Sequence, residues 1–180
     1  MTGPGMPEVT IRPATAADIP AITAIYIDAV TRGTASFELS PPDEAEMTRR
    51  MSELTGTGFP WLAADLEGQL AGYAYASPYR ARPAYRFTVE DSVYVAPQMH
   101  GRGVGRALLT ALVTESEARG FRQMIAVIGD SAQAASIALH AAAGFYVAGT
   151  LPNVGFKFDR WLDTVLMQRP LGKGSTATPQ

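Results

Sequence analysis

The sequence predicts an α/β domain with a mixed, mostly antiparallel central sheet flanked by helices on both faces. Three observations predict it. Alternating β-branched runs and apolar-periodic runs interleave in the order β-α-α-β-β-β-α-β-α-β-β. Consecutive strands in the middle imply antiparallel pairing, and the later strand-helix-strand units imply a crossover. No linker or internal repeat divides the 180 residues, a length that suits one domain with a real core. The domain is expected over residues 8–171, with residues 1–7 and 172–180 as flexible ends.

Each element has its own signal. EVTIRP alternates as a short strand. Thr15 and Asp18, three apart, resemble a capping box before a helix whose face is Ile19, Ile22, Tyr26 and Ala29; Gly33 ends it. A second helix is expected in SPPDEAEMTRRMSEL, capped by Ser40, with Pro41 in its first turn and Met47, Met51 and Leu54 on one face. WLAADLEGQLAGYAYAS reads as a hairpin turning at Glu67–Gly68. FTVEDSVYVAP is β-branched and ends at Pro97. ALLTALVTESEARG is a helix closed by Gly120, and FRQMIAVIG is a strand. DSAQAASIALHAAAG is a helix capped by Asp130 or Ser131 and stopped by Gly144. FYVAGTL and GFKFDRWLDTVLMQRP are two closing strands.

Composition excludes several functions. Net charge is -2, so no basic field points to nucleic acid. There is no cysteine, hence no disulfide, no thiol nucleophile and no cysteine-bound zinc. With only His100 and His140, no metal site is expected. The start, MTGPGMPEV, lacks the basic and apolar regions of a signal peptide, and no apolar run is long enough to span a membrane. The cytoplasm is the expected location.

HGRGVGRALL, from His100, is the densest glycine segment and lies between a strand and a helix. It lacks the Lys and Ser/Thr of a P-loop, and its third glycine is misplaced for a dinucleotide fingerprint. Backbone N–H groups at a helix start bind anions, and Arg102 and Arg106 add charge. The spacing alone leaves a tight strand-to-helix turn equally open.

The order of elements, and H-G-R-G-V-G at 100–105 after V-Y-V, resemble the GNAT N-acetyltransferase superfamily, whose signature is [QR]-x-x-G-x-[GA]. His100 stands where Gln or Arg is usual. T-V-E-D-S-V-Y-V, G-D-S-A-Q-A-A-S-I-A-L-H and G-T-L-P-N-V-G-F-K-F-D-R-W-L-D-T-V-L-M-Q-R-P-L are similar to its phosphinothricin/methionine sulfoximine N-acetyltransferase branch, from roughly Val9 to Leu171. The resemblance implies that Gly101, Arg102, Gly103, Val104, Gly105 and Arg106 cradle the pyrophosphate of acetyl-CoA. It implies that Val93, Tyr94 and Val95 pair with the pantetheine arm as an added strand would. Ser136 and Gln133 fall where the branch holds that arm, with Gln133 in place of Asn.

Acetyl transfer to an amine needs a base, and an α-amino group titrates near pH ~8. Glu90 is a carboxylate within an apolar strand. Alternation groups it with Ser92 and Tyr94, and groups Asp91 with Val93 and Val95. Read from the strand alone, Glu90 could equally face solvent or pair with Arg86. The resemblance assigns it as the base and leaves Asp91 as the runner-up. It places His140 where many relatives carry a thiolate-protonating Tyr, with Tyr146 as a weaker alternative.

For the acceptor, YRARPAYRF offers Arg80, Arg82 and Arg86 to a carboxylate, and Tyr85 as a wall, unless it is a plain surface loop. Phe37 and Glu38 form a second wall, unless they are a core Phe and a solvated Glu. The resemblance also implies a homodimer that brings the loop around Asn153 near the acceptor. The expected reaction is direct transfer of acetyl from acetyl-CoA to the α-amino group of a small amino-acid analogue such as phosphinothricin, methionine sulfoximine or methionine sulfone. A peptide or polyamine acceptor, and a non-catalytic acyl-CoA-binding module, are the alternatives.

Overall fold

A computed structural model describes residues 8–179. The expected ends at 1–7 and residue 180 lie outside the described residues. The elements are β1 (Thr10–Pro13), α1 (Ile19–Arg32), α2 (Glu44–Gly56), β2 (Trp61–Leu66), β3 (Gln69–Pro78), β4 (Thr88–Val95), α3 (Val104–Ala118), β5 (Gln123–Gly129), α4 (Ala134–Ala142), β6 (Tyr146–Lys157) and β7 (Arg160–Pro170). They form one seven-stranded sheet in the order β1-β2-β3-β4-β5-β7-β6. Every pairing is antiparallel except β4 with β5.

The two faces follow from alternation along β3. A Cβ on Gly72 would meet Leu108 and Val104 of α3. Its neighbour Tyr73 therefore points the other way, toward α1 and α2. Trp61, Tyr73, Tyr75 and Tyr94 form a run of ring contacts across that second face, ending edge-on at Tyr26 of α1 with centroids 5.0 Å apart. Leu108, Leu109 and Leu112 seal α3 onto its own face without exposure to water. At the start of the domain Arg12 grips Asp18 at 2.7 Å and Asp65 at 2.6 Å, tying β1, the entry to α1 and β2. The Thr15 N–H donates to the Asp18 carboxylate at 2.7 Å, as the sequence predicts.

Three boundaries differ from expectation. The second helix begins at Glu44, not at Ser40. Pro42 keeps Pro41 extended, so the cap passes to Asp43, whose carboxylate accepts the Glu46 N–H at 2.8 Å. Neither Asp130 nor Ser131 caps α4, which starts at Ala134. Asp130 instead takes the left-handed conformation at φ 72° and turns the chain, accepting from the Ala132 N–H at 3.0 Å. The last hairpin turns at Phe158–Asp159, at φ 51° and 55°, and not between Leu151 and Gly155. Those residues form an irregularity inside a longer β6, where Pro152 has no N–H to offer the ladder. After Leu171 the chain lies against Arg122, which donates to the carbonyls of Gly174 and Thr178.

Candidate active site

The central strands part in the middle of the sheet. β4 pairs with β5 only from Thr88 to Asp91, opposite Gln123–Ala126. Beyond that point β4 stays with β3 and β5 stays with β7. The gap opens into a cavity of about 450 Å³. Glu90, His140, Val93, Tyr94, Ser136 and Phe37, all singled out from sequence, line it.

The unpaired edge of β4 has defined chemistry. The Ala96 N–H donates to the Ala71 carbonyl, which fixes the phase of the ladder. Odd-numbered residues then direct their main-chain groups toward β5, and even-numbered ones toward β3. Val93 and Val95 therefore present N–H and C=O groups that β5 no longer meets. His100 donates from Nε2 to the Val95 carbonyl at 3.1 Å. Tyr94 corrects the sequence reading: its main chain faces β3, and only its ring is left to line the cavity.

Beyond this edge lies the glycine segment. Gly101 and Gly103 sit at φ 73° and 84°, a conformation that side chains disfavour. Gly103 is the residue before α3, so the free N–H groups of the first turn follow it directly. The site fits a diphosphate on backbone donors. The two arginines differ. Arg102 turns away to Glu67 in the β2–β3 hairpin at 2.6 Å, which removes it as the expected source of free charge. Arg106 is exposed on the first turn and makes no ion pair among the described residues. Gln133 also points elsewhere, donating to the Thr34 hydroxyl at 2.9 Å. No cluster of ligating side chains suited to a metal occurs among the described residues.

Two ionisable groups approach the gap from opposite faces. Glu90 lies on the α1/α2 face with Ser92 and Tyr94. Burial raises its pKa, the charge of Asp91 adds to this, and Arg80 opposes it. Arg86 is not its partner, since that guanidinium covers the Phe87 ring at 4.6 Å. On the other face, His140 is buried. Its Nδ1 meets the Ser136 carbonyl at 2.7 Å and its Nε2 meets Asp91 Oδ2 at 2.9 Å. A carbonyl only accepts, so Nδ1 carries a proton. A second proton lies between Nε2 and the Asp91 carboxyl. Burial lowers the His140 pKa, but the hydrogen bond and charge of Asp91, together with the Ser136 carbonyl, outweigh it, and the net shift is upward. Asp91 is therefore the partner of His140, a role sequence reasoning missed because the two are far apart in the chain.

The acceptor-side candidates are less gathered. Arg80, Arg82, Tyr85 and Arg86 sit exposed on the β3–β4 loop and do not line the cavity. Arg80 lies 4.7 Å from the centre of the Tyr79 ring. Asn153 is exposed in the irregular part of β6 at φ 55°. Phe37 is fixed: a Cβ on Gly129 or Gly155 would overlap its ring. Sequence reasoning placed Tyr26 on the face of the first helix without a site role; its hydroxyl donates to Glu38 at 2.9 Å. Glu38, expected as part of a wall or as a solvated group, is held by Arg50 at 2.7 Å. Lys157 reaches from β6 to donate to the Ser36 carbonyl at 2.7 Å.

A sheet parted at its centre, an open strand edge and a glycine cradle at a helix start form a site for an extended ligand that carries a diphosphate. The chain belongs to the acetyltransferase (GNAT) family, which it matches over residues 22–145. It is an acetyl-CoA-dependent N-acetyltransferase. It is 56% identical over 171 residues to a phosphinothricin N-acetyltransferase of Alcaligenes faecalis, covering 95% of this chain and 87% of that one. It is 43% identical over 160 residues to the L-methionine sulfoximine/L-methionine sulfone acetyltransferase of Pseudomonas aeruginosa, covering 88% and 92%. A crystal structure of a GNAT superfamily phosphinothricin acetyltransferase from Sinorhizobium meliloti in complex with AcCoA superposes with a TM-score of 0.92, at 53% identity, over 96% of this chain and 93% of that one.

Proposed function

We propose that this enzyme acetylates the α-amino group of a small amino-acid analogue of the phosphinothricin, methionine sulfoximine and methionine sulfone type. The observation that carries the reading is Glu90, a desolvated carboxylate at the mouth of the parted strands. Relatives acting on those compounds match almost the whole chain.

Acetyl-CoA, when bound, supplies an acetyl group already activated as a thioester. Val93 and the N–H of Val95 hold its arm along the open edge, and the N–H groups of 101–106 hold its pyrophosphate. Glu90 takes the proton of the acceptor ammonium. Its raised pKa brings it closer to that of an α-amino group, near ~8, which eases the transfer. His140 and Asp91 keep a proton on the far side of the gap. Both ring nitrogens are engaged, so His140 acts from a fixed position rather than as a free acid. With no cysteine in the chain, the amine attacks the thioester carbonyl directly; the C–N bond forms, the C–S bond breaks, and the proton the nitrogen then sheds leaves with the CoA thiolate as free thiol. In this reading Arg80, which lies outside the cavity lining but whose charge bears on Glu90, draws in the acceptor's carboxylate.

The enzyme works as a homodimer in this reading. Tyr146, Val147, Leu151, Val154, Phe156, Phe158 and Trp161 are all about half exposed on the edge strand β6 and its hairpin, and Trp161 reaches 63%. So many apolar groups on one sheet edge suit burial against a second copy. The test of substrate class is acetyl-CoA-dependent thiol release across a panel. The panel holds phosphinothricin, methionine sulfoximine, methionine sulfone, ordinary amino acids, a polyamine and a peptide. Release with the first three is expected. Release only with the peptide or polyamine would overturn the substrate claim.

A further inference from the structure

The acetyl-transfer cavity is acidic. Among the described residues Glu38, Glu90 and Asp91 line it, and no Lys or Arg does. Its single basic side chain, His140, is already bonded to Asp91 at 2.9 Å. Glu90 serves the reacting nitrogen in the proposed reaction, and Asp91 stands on the opposite face. Glu38 has no part in that reaction.

Glu38 is held in place and still reachable. It lies in the link between α1 and α2, and its side chain is 35% exposed. Its Oε1 accepts from the Tyr26 hydroxyl at 2.9 Å and from Arg50 at 2.7 Å. Its Oε2 meets only the second Arg50 nitrogen, at 3.4 Å, and so keeps capacity to accept from a ligand. The Glu38 N–H donates to the Ser36 hydroxyl at 3.2 Å, which fixes the backbone here. Two cations lie near this wall, but neither lines the cavity. Arg50 is shared with Glu46 at 2.8 Å. Lys157 is buried and donates to the Ser36 carbonyl at 2.7 Å. Both are engaged, so an anion inside the cavity meets the carboxylate rather than a free cation.

The charged groups of an amino-acid acceptor then sort themselves. Its ammonium goes to Glu90, and its carboxylate stays outside the lining with Arg80. Its side chain faces the rest of the lining on the α1/α2 face, where Glu38 is the remaining charge. A neutral tail meets no repulsion there, and the N–H of a sulfoximine can donate to Oε2. An anionic tail meets a like charge.

We infer that Glu38 is a specificity-determining residue, which selects acceptors with a neutral tetrahedral tail, a sulfone or sulfoximine, over those with an anionic one, a phosphinate. The inference rests on the amino-acid acceptor proposed above.

Methionine sulfone and phosphinothricin make the test. Their side chains have the same length and shape, with sulfur in one where phosphorus stands in the other, and differ chiefly in charge. The ratio of their kcat/KM values therefore reads that charge. The native enzyme should favour the sulfone by roughly tenfold or more, mainly through KM, the scale of one like-charge contact in a partly open site. Glu38→Gln keeps the size of the side chain and an oxygen for Tyr26 and Arg50. It should shrink the ratio by roughly tenfold, through a lower KM for phosphinothricin, with acetyl-CoA affinity unchanged. A native preference for phosphinothricin, or a ratio that Glu38→Gln leaves as it was, would overturn the inference while leaving the acceptor class intact. The native ratio alone keeps the test decisive if Glu38→Gln fails to fold. Turnover of neither compound by the native enzyme would overturn the acceptor class, and this inference with it.

Discussion

At the scale of the residue, Asp91 and His140 show how position along a strand decides chemistry. Adjacent residues on β4 face opposite sides, so Glu90 reaches one cavity wall while Asp91 reaches the α4 side. There it is bonded to an imidazole whose side chain is 5% exposed. The His140 pKa is raised because Asp91 outweighs burial. Asp91→Asn should remove that effect and leave burial, the largest single influence, opposed only by the Ser136 carbonyl. The His140 pKa, followed by NMR of its ring C–H signals, should then fall below its wild-type value and below the ordinary ~6.5. An unchanged pKa would mean that Asp91 does not hold the imidazole. Glu90 and His140 were legible as candidates from the apolar strand and from the resemblance. Their separation onto two faces followed from alternation, but the Asp91–His140 bond did not. It depends on which turn of α4 packs over β4, and no local signal in SIALHAAAGF reports that.

At the scale of the element, the segment between β4 and α3 does the most with the least side chain. Gly103 takes a left-handed conformation so that the helix can start at once. Gly103→Ala should cost about 1 kcal/mol of stability from this strain alone. It should also weaken acetyl-CoA binding, measured by calorimetry, more than the acceptor KM. A variant that binds acetyl-CoA normally would remove the cradle from the account. The glycine pattern announced this element plainly. The boundaries that sequence misplaced were those where a side chain could serve in several ways. Ser40 and Asp43 are both good caps, and Pro42 decided between them by its effect on Pro41. Asp130 is a good cap that was taken instead by Thr34 at 3.0 Å and Arg160 at 2.8 Å. Arg102 was legible as a charge, but Glu67, distant in sequence, claimed it.

At the scale of the whole molecule, one sheet supplies both the parted strands and the apolar edge. The element order was readable throughout, because each run kept its own period and its own stop residues. The opening between β4 and β5 was not, since it depends on the extent of a long-range pairing. The edge makes its own prediction. Trp161→Glu should place a charge on the half-exposed apolar surface and shift the protein from dimer to monomer in sedimentation. A wild-type monomer at working concentration would contradict the dimer. The central claim, that Glu90 is the base for an amino-acid acceptor, is tested most directly by one comparison. It is the rate of acetyl-CoA-dependent thiol release with phosphinothricin by the native enzyme and by Glu90→Gln, from pH 5 to 9. The account predicts that native kcat/KM falls on the acid side with an apparent pKa above the ordinary carboxylate value. Glu90→Gln should lose roughly 10²–10⁴-fold in rate along with that limb, while its acetyl-CoA affinity is unchanged. A variant that keeps the native rate and pH profile would contradict it.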